Sequence, residues 1–224
     1  MADYSLNICI NIMADNYLEN RYDEVFGQKK SVRIIGHSLD NLLLKNRSTR
    51  GYDVSFEVKP DVLRKIIAVN TKIASARNQQ VLRFKPVAGG SEADFVLKNI
   101  KLGGALPELH LPFKGTEPKA FIIVCSTVEE TKYVDIDLGI SLQSMLLKAV
   151  EIGLNGIIIC AFDKDQIKEF FHLKHNPLAI LAIGKSAEKF RLEEISETQN
   201  HNYYRDENNV HIVPKVRLDE LIYS

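Results

Sequence analysis

The stretch from Asp135 to Phe162, DIDLGISLQSMLLKAVEIGLNGIIICAF, constrains the fold more than any other. It predicts one long, mostly buried helix running into a buried strand. Leu138, Ile140, Leu142, Met145, Leu146, Leu147, Ala149, Val150, Ile152 and Leu154 leave only a narrow polar stripe at Ser141, Gln143, Ser144, Lys148 and Glu151. A helix that is apolar nearly all round sits in an interior, so other elements must wrap it. Gly153 is placed as the helix stop and Asn155-Gly156 as a tight turn. Ile157 to Cys160 is an unbroken apolar run, suited to a strand covered on both faces. Lys148 and Glu151 keep the segment short of the charge-free length of a membrane helix. Taken alone, the stretch reads as a plain core helix and core strand.

The remaining 196 or so residues must supply the wrapping, and the composition allows it: 45% of the 224 residues are hydrophobic and 26% charged, enough for one large globular domain. The 29 basic residues are matched by 29 acidic ones. Without a basic excess, neither a nucleic acid nor a membrane surface is expected as a partner, although a local basic site for a small anion stays open. Cys9, Cys125 and Cys160 are odd in number, and two lie inside apolar runs. That pattern fits a reducing, cytoplasmic compartment rather than a disulfide framework. The N-terminus has no basic region ahead of its apolar residues and carries acids early, which makes a poor signal peptide. Met13 opens a second start-like sequence, MADNYLENRYDEVFG, so residues 1–12 read as an upstream extension.

Along the chain, Asn16 to Phe26 has a weak helical pattern, and the residues from Gln28 to Gly36 read as a linker or short arm. Ser38 is placed to cap a helix through Leu39, Leu42, Leu43 and Leu44 that ends near Asn46. NRSTRGYD follows; Arg47, Ser48 and Arg50 put two guanidiniums and a hydroxyl close together, donors suited to an anion or equally to solvated surface. Pro60-Asp61 starts a helix expected from Val62 to Ile73. SARNQQ, Ser75 to Gln80, is a polar connection that also suits a planar, heteroatom-rich ligand. A strand is expected through Leu82, Phe84 and Val87, a helix from Glu92 to Ile100, and a loop over GGALPELHLPFKG. Ala120 to Cys125 and Leu178 to Ile183 read as buried strands, and Asp163 as the cap of a helix from Gln166 to Leu173. Phe190 to Ile195 alternates like a strand, and Glu197 to Asn209 reads as loop. The tail, VHIVPKVRLDELIYS, carries Lys215 and Arg217 among apolar residues.

Familiar protein-borne chemistry is missing. The six histidines are scattered without carboxylates or cysteines at metal-ligand spacing, so no metal is expected. Neither a glycine-rich phosphate loop nor a Gly-x-Ser-x-Gly elbow occurs. Asp135 and Asp137 read as helix-start charges rather than an acid/base pair. With no catalytic side chain in view, an enzyme built on this chain would need a bound cofactor.

NRSTRGYD, SARNQQVLRF, DLGISLQSMLLKAVEIGL, GIIICAFD and PKVRL, in this order and spacing, resemble the nitroreductase family of FMN-dependent oxidoreductases. The likeness is close to a bacterial subgroup marked by GGALPELHLP and PLAILAIGKS, and it runs from about Leu39 to Ile222. It implies an α+β fold, a mixed sheet flanked by helices in an intertwined homodimer, with the long helix at the dimer interface. It divides the chain into an N-terminal extension over 1–36 and an FMN-binding domain over 37–224. Each FMN would be touched by both subunits. By resemblance, Arg47, Ser48 and Arg50 match the segment that binds the ribityl phosphate and the pyrimidine side of the flavin. Lys215 and Arg217 match the basic pair on the phosphate. Ser75, Arg77, Asn78 and Gln80 match the polar loop that reaches the partner's flavin. Cys160 and Ala161 match the strand end whose backbone faces flavin N5 and O4; Cys160 itself reads as a small buried hydrophobe. The family pattern is broken at Asn46, where many members carry another basic residue, and at Ala74, Val81 and Leu82, where prolines and a tryptophan are usual. The implied activity is ping-pong hydride transfer from NADH or NADPH through FMN to a small electron-poor acceptor, a nitroaromatic or a quinone. The alternative is a flavin-binding protein without nicotinamide turnover: a carrier, a sensor or a flavin-consuming enzyme.

Overall fold

Strand AFIIVCS is apolar at nearly every position and buried at all of them, and the rest of the structure is layered on it. The computed structural model describes residues 38–104 and 109–223. The extension expected over residues 1–36, Cys9 and residues 105–108 of the GGALPELHLPFKG loop lie outside these. The strands are β1 (Leu82–Ala88), β2 (Ala120–Ser126), β3 (Asn155–Ile159) and β4 (Asn176–Gly184), in the order β1-β2-β4-β3. All three pairings are antiparallel. Within this sheet, among the described residues, parallel pairing occurs only as the edge bridge of Ser48 with Gly156.

Alternate residues of a strand point to opposite faces, and here both faces are apolar. Ala120, Ile122 and Val124 face one core with Ala179, Leu181 and Ile183. Phe121, Ile123 and Cys125 face the other with Ile180 and Ala182. The helices are α1 (Leu39–Lys45), α2 (Pro60–Ile67), α3 (Gly90–Lys98), α4 (Lys132–Glu151), α5 (Lys164–Phe170) and α6 (Leu218–Leu221). Leu63 and Ile66 of α2 and Leu142, Met145, Leu146 and Ala149 of α4 cover the first face. Ala93 and Val96 of α3 and Ile167 of α5 cover the second. The result is an α+β fold of helix, sheet and helix layers.

Several local expectations are corrected. α4 begins three residues before Asp135, because the Thr131 hydroxyl accepts from the Val134 N–H and caps it there. Asn155-Gly156 is no turn but the start of β3: Gly153, at φ 82°, closes the helix as the Leu154 N–H reaches back to Ala149, and the chain enters the strand at once. α2 stops at Ile67 and tightens into a 3-10 turn to Thr71. There the Asn70 amide and the Thr71 hydroxyl donate to the Ile67 and Ala68 carbonyls.

α4 is not enclosed within the chain. Ile136, Ile140 and Ile152 are exposed, whereas Asp137 and Ser141 are buried. The polar stripe read from the sequence is therefore partly inverted, and an apolar stripe faces outward. Within β3, Ile158 is also 39% exposed, so this strand is not covered on both faces. Cys160, just beyond it, is exposed rather than buried.

A second sheet is formed by β5 (Phe190–Ile195), β6 (Tyr204–Arg205) and β7 (His211–Val216), in the order β5-β7-β6. β5 and β7 are parallel and β6 and β7 antiparallel. The stretch expected to be loop from Glu197 to Asn209 thus contains β6.

Candidate functional site

Asn155 ties the segment after α1 to the main sheet. Its amide donates to the Lys45 carbonyl at 2.8 Å, and its Oδ1 accepts from the Arg47 N–H at 3.4 Å. The Thr49 N–H donates to the Gly156 carbonyl at 3.1 Å. Gly156 has no room for a side chain; a Cβ there would lie 2.4 Å from the Ala182 carbonyl oxygen. Residues 46–50 are thereby laid along the β3 edge, with Arg47 and Arg50 beside the second sheet.

Together they line a cavity of about 330 Å3. Asn46, Arg47, Ser48 and Arg50 form one wall, Gln143, Leu146 and Ile158 a second, and Phe190, Tyr203, His211, Val213 and Lys215 a third. His211, Val213 and Lys215 are alternate residues of β7 and so share one face of it. Arg50 is 8% exposed. Its guanidinium donates to the Ser48 carbonyl and the Tyr203 hydroxyl, both at 3.1 Å, and lies 4.7 Å from the centre of the Tyr203 ring. The Arg50 N–H donates to Glu188 at 2.8 Å. The other Glu188 oxygen is ion-paired with Arg205, so the carboxylate's charge is balanced inside the structure. Arg47, Arg50 and Lys215 are left as net positive charge on the cavity.

The donor chemistry fits an anion. Asn46 Nδ2, Arg47 Nε, Arg50 Nε and both ring nitrogens of His211 are buried without a hydrogen-bond partner. Leaving one such group unpaired costs about 1–3 kcal/mol, more when it is charged. Burial holds the Arg47 guanidinium below its ordinary range. Burial first, and then the Arg50 charge, push His211 down to about 4.

The other sequence-predicted residues lie elsewhere. Ser75 and Gln80 line a separate cavity of about 510 Å3 with Arg64, Asn70, Arg83 and Asp137. Arg77 lines a third with Thr131 and Tyr133. Gln80 also donates to Asn78. Cys160 and Ala161 follow β3 two and three residues after Ile158, and the Ala161 carbonyl accepts from the Lys101 N–H. Arg217, expected beside Lys215, stands off the cavity: β7 ends at Val216, and α6 swings Glu220 back to form an ion pair with it.

Sequence reading missed His211, Tyr203 and Glu188. The alternation His211-Val213-Lys215 was a usable signal for the first. It also misread Asp137, which is 5% exposed and accepts from Ser75 Oγ at 2.6 Å and the Ala76 N–H at 2.8 Å. Among the described residues, no His, Cys, Asp or Glu cluster is arranged to hold a metal ion, and no helix is long and apolar enough to cross a membrane.

The family model described as "Nitroreductase family" matches residues 43–185. The chain belongs to the nitroreductase family. Members of this family are oxidoreductases. Among solved structures, a nitroreductase family protein from Clostridium difficile 630 is 25% identical over 66% of this chain and 83% of its own, with a TM-score of 0.51. An FMN-dependent nitroreductase from Clostridium difficile R20291 is 23% identical over 66% and 87%, with a TM-score of 0.54. A protein from Exiguobacterium sibiricum solved in complex with FMN is 19% identical over 66% and 88%, also at 0.54. No curated protein matches the chain. The nitroreductase match ends before β5, so Phe190, Tyr203, His211 and Lys215 close the cavity from outside the matched region.

Proposed function

We propose that this nitroreductase-family chain is an FMN-dependent oxidoreductase that works as a homodimer. The observation that carries the reading is the cavity on which Arg47, Ser48, Arg50 and Lys215 converge, with buried, unpartnered donors around it. An FMN phosphate carries about −1.5 to −2 charge at neutral pH; two guanidiniums and an ammonium offset it with charge-assisted hydrogen bonds. Bound FMN would supply the redox chemistry, accepting hydride from NADH or NADPH and passing electrons to a nitroaromatic or quinone.

The chain's own residues bind and orient. Arg47 and Arg50 hold the phosphate and the pyrimidine side, Ser48 adds a hydroxyl, and Lys215 closes on the phosphate from β7. Arg217, paired with Glu220 off the cavity, contributes little to the phosphate site. Cys160 and Ala161, just past Ile158 of the cavity wall, would present backbone to the reactive edge of a bound flavin. Ser75, Arg77, Asn78 and Gln80 stand away from this cavity in their own chain and serve the flavin of the partner subunit. The exposed stripe of Ile136 and Ile140 on α4 supplies apolar area for that partner.

An absorption spectrum of the purified protein, before and after FMN is added, tests the binding. Anaerobic titration with NADH and NADPH then tests turnover. Bleaching of a bound flavin by either is expected. Protein that stays colourless with FMN overturns the proposal; a yellow protein that neither nicotinamide bleaches is a flavin binder without nicotinamide turnover.

A further inference from the structure

His211 lines this cavity with a titratable side chain to which the proposed function gives no role, and its surroundings are unusual. It is 2% exposed, yet neither ring nitrogen has a hydrogen-bond partner. Its ring lies between Phe190 and Tyr203, with centroids 5.4 and 5.0 Å away. The backbone fixes it as well: its N–H donates to the Lys189 carbonyl at 2.8 Å, and it is paired with Arg205 across β6 and β7. A buried imidazole with both nitrogens unmatched loses hydration that nothing in the chain replaces. It lines the cavity together with Arg47, Arg50 and Lys215, whose positive charges favour an anion there.

We propose that His211 is a ligand-contacting residue of this cavity, donating a ring N–H to the bound phosphate group and taking up a proton as that group binds. The proposal rests on the phosphate-binding reading of the cavity given above. The charged and titratable groups around the ring come from several elements. Arg50 comes from the segment after α1 and Arg205 from β6; Glu188, ahead of β5, is ion-paired with Arg205; Lys215 follows on β7 and Tyr203 precedes β6. Without an anion, burial first and then the Arg50 charge oppose a charged imidazole, and His211 is held neutral down to about pH 4. A phosphate dianion reverses the local field, so the imidazolium becomes the favoured form. Linkage then requires anion affinity to rise as pH falls. If the bound anion restores an ordinary histidine value, the gain between pH 8 and pH 5.5 is about tenfold.

The test titrates flavin-free protein with FMN at pH 8 and pH 5.5, for the wild type and His211→Gln. The FMN phosphate itself titrates near pH 6, so the quantity read is the ratio of variant to wild-type Kd at each pH. The ratio is expected to grow about tenfold toward pH 5.5, while the ratio for riboflavin, which lacks the phosphate, stays level. An FMN ratio equal at both pH values overturns the proposal. A second measurement does not need the variant's affinity: histidine-selective NMR follows the His211 ring of the wild type as inorganic phosphate is added. Its midpoint should climb by a pH unit or more; a midpoint that stays put overturns the proposal. Wild-type protein that binds inorganic phosphate through His211 but does not bind FMN would refute the flavin reading and leave the His211 contact standing.

Discussion

Replacing Asp137 by alanine should destabilise the protein by about 3 kcal/mol. The carboxylate is buried on the inner side of α4 and holds the start of the Ser75–Gln80 loop through two short hydrogen bonds, from Ser75 Oγ at 2.6 Å and from the Ala76 N–H at 2.8 Å. Ser75 Oγ in turn accepts from the Gln80 N–H at 2.9 Å, so one carboxylate organises both ends of the loop. The loop needs such an anchor because Arg77, Asn78 and Gln80 have φ values of 52°, 55° and 49°. Each left-handed non-glycine residue costs roughly 1 kcal/mol. Hydrogen bonds to a charged group contribute about 1.5–3 kcal/mol each, and removing the carboxylate also relieves its own desolvation, which leaves a net loss of about 3 kcal/mol. For a chain of this length that lowers Tm by roughly 6–12 °C. Asp137→Asn should cost about 1 kcal/mol, since its oxygen still accepts from Ala76 and its amide can donate to Ser75. Thermal unfolding of both variants, with Ser75→Ala and the Asp137→Ala/Ser75→Ala pair, gives a double-mutant cycle. A Tm for Asp137→Ala within a degree of the wild type, or strictly additive losses for Asp137 and Ser75, would refute the reasoning.

Three further outcomes are expected. Lys215→Ala should weaken FMN binding about 10- to 100-fold through loss of a charge-assisted contact, and Arg217→Ala far less, because Arg217 is already paired with Glu220 off the cavity; equal losses in fluorescence titrations would contradict that division. His211 binds a proton more readily unfolded than folded, so flavin-free protein should lose stability as pH falls from 6.5 toward 4, by at most about 3 kcal/mol; urea unfolding of His211→Gln should show that part of the slope gone. In a Cys9→Ser background, a maleimide at neutral pH should label the exposed Cys160 and spare Cys125, which is buried with its thiol pushed up to about 11; mass spectrometry showing Cys125 modified first would contradict this.

Much of the layering was legible beforehand because it depends on periodicity. The apolar runs at Ala120–Cys125 and Leu178–Ile183 became the two central strands, β2 and β4, and the capping residue Asp163 starts its helix as read, accepting from the Gln166 N–H. Direction of packing was less legible. On α4 the polar residues Asp137 and Ser141 turn inward because Ser75, Ala76 and Asn70 offer them hydrogen bonds, while Ile136 and Ile140 turn outward. Hydrophobicity along one helix does not reveal which partners its polar groups will meet, since those partners lie some sixty or seventy residues away in the chain.

The opening stretch, Asp135 to Phe162, divides along the same line. The sequence by itself determined that it would be a helix followed by a strand, because the residue spacing and Gly153 leave few other ways to bury that much apolar surface and end the helix. The tertiary structure decided what the two elements position. Asn155 and Gly156 opened the strand instead of turning the chain: Gly156 packs too closely on Ala182 of β4 for any side chain, and its carbonyl accepts from the Thr49 N–H, which seats residues 46–50 on the β3 edge. That contact brings Arg47 and Arg50 to a wall made by Tyr203, His211 and Lys215, more than 150 residues later in the chain. Charge convergence of this kind depends on three-dimensional proximity, and one-dimensional spacing does not encode it.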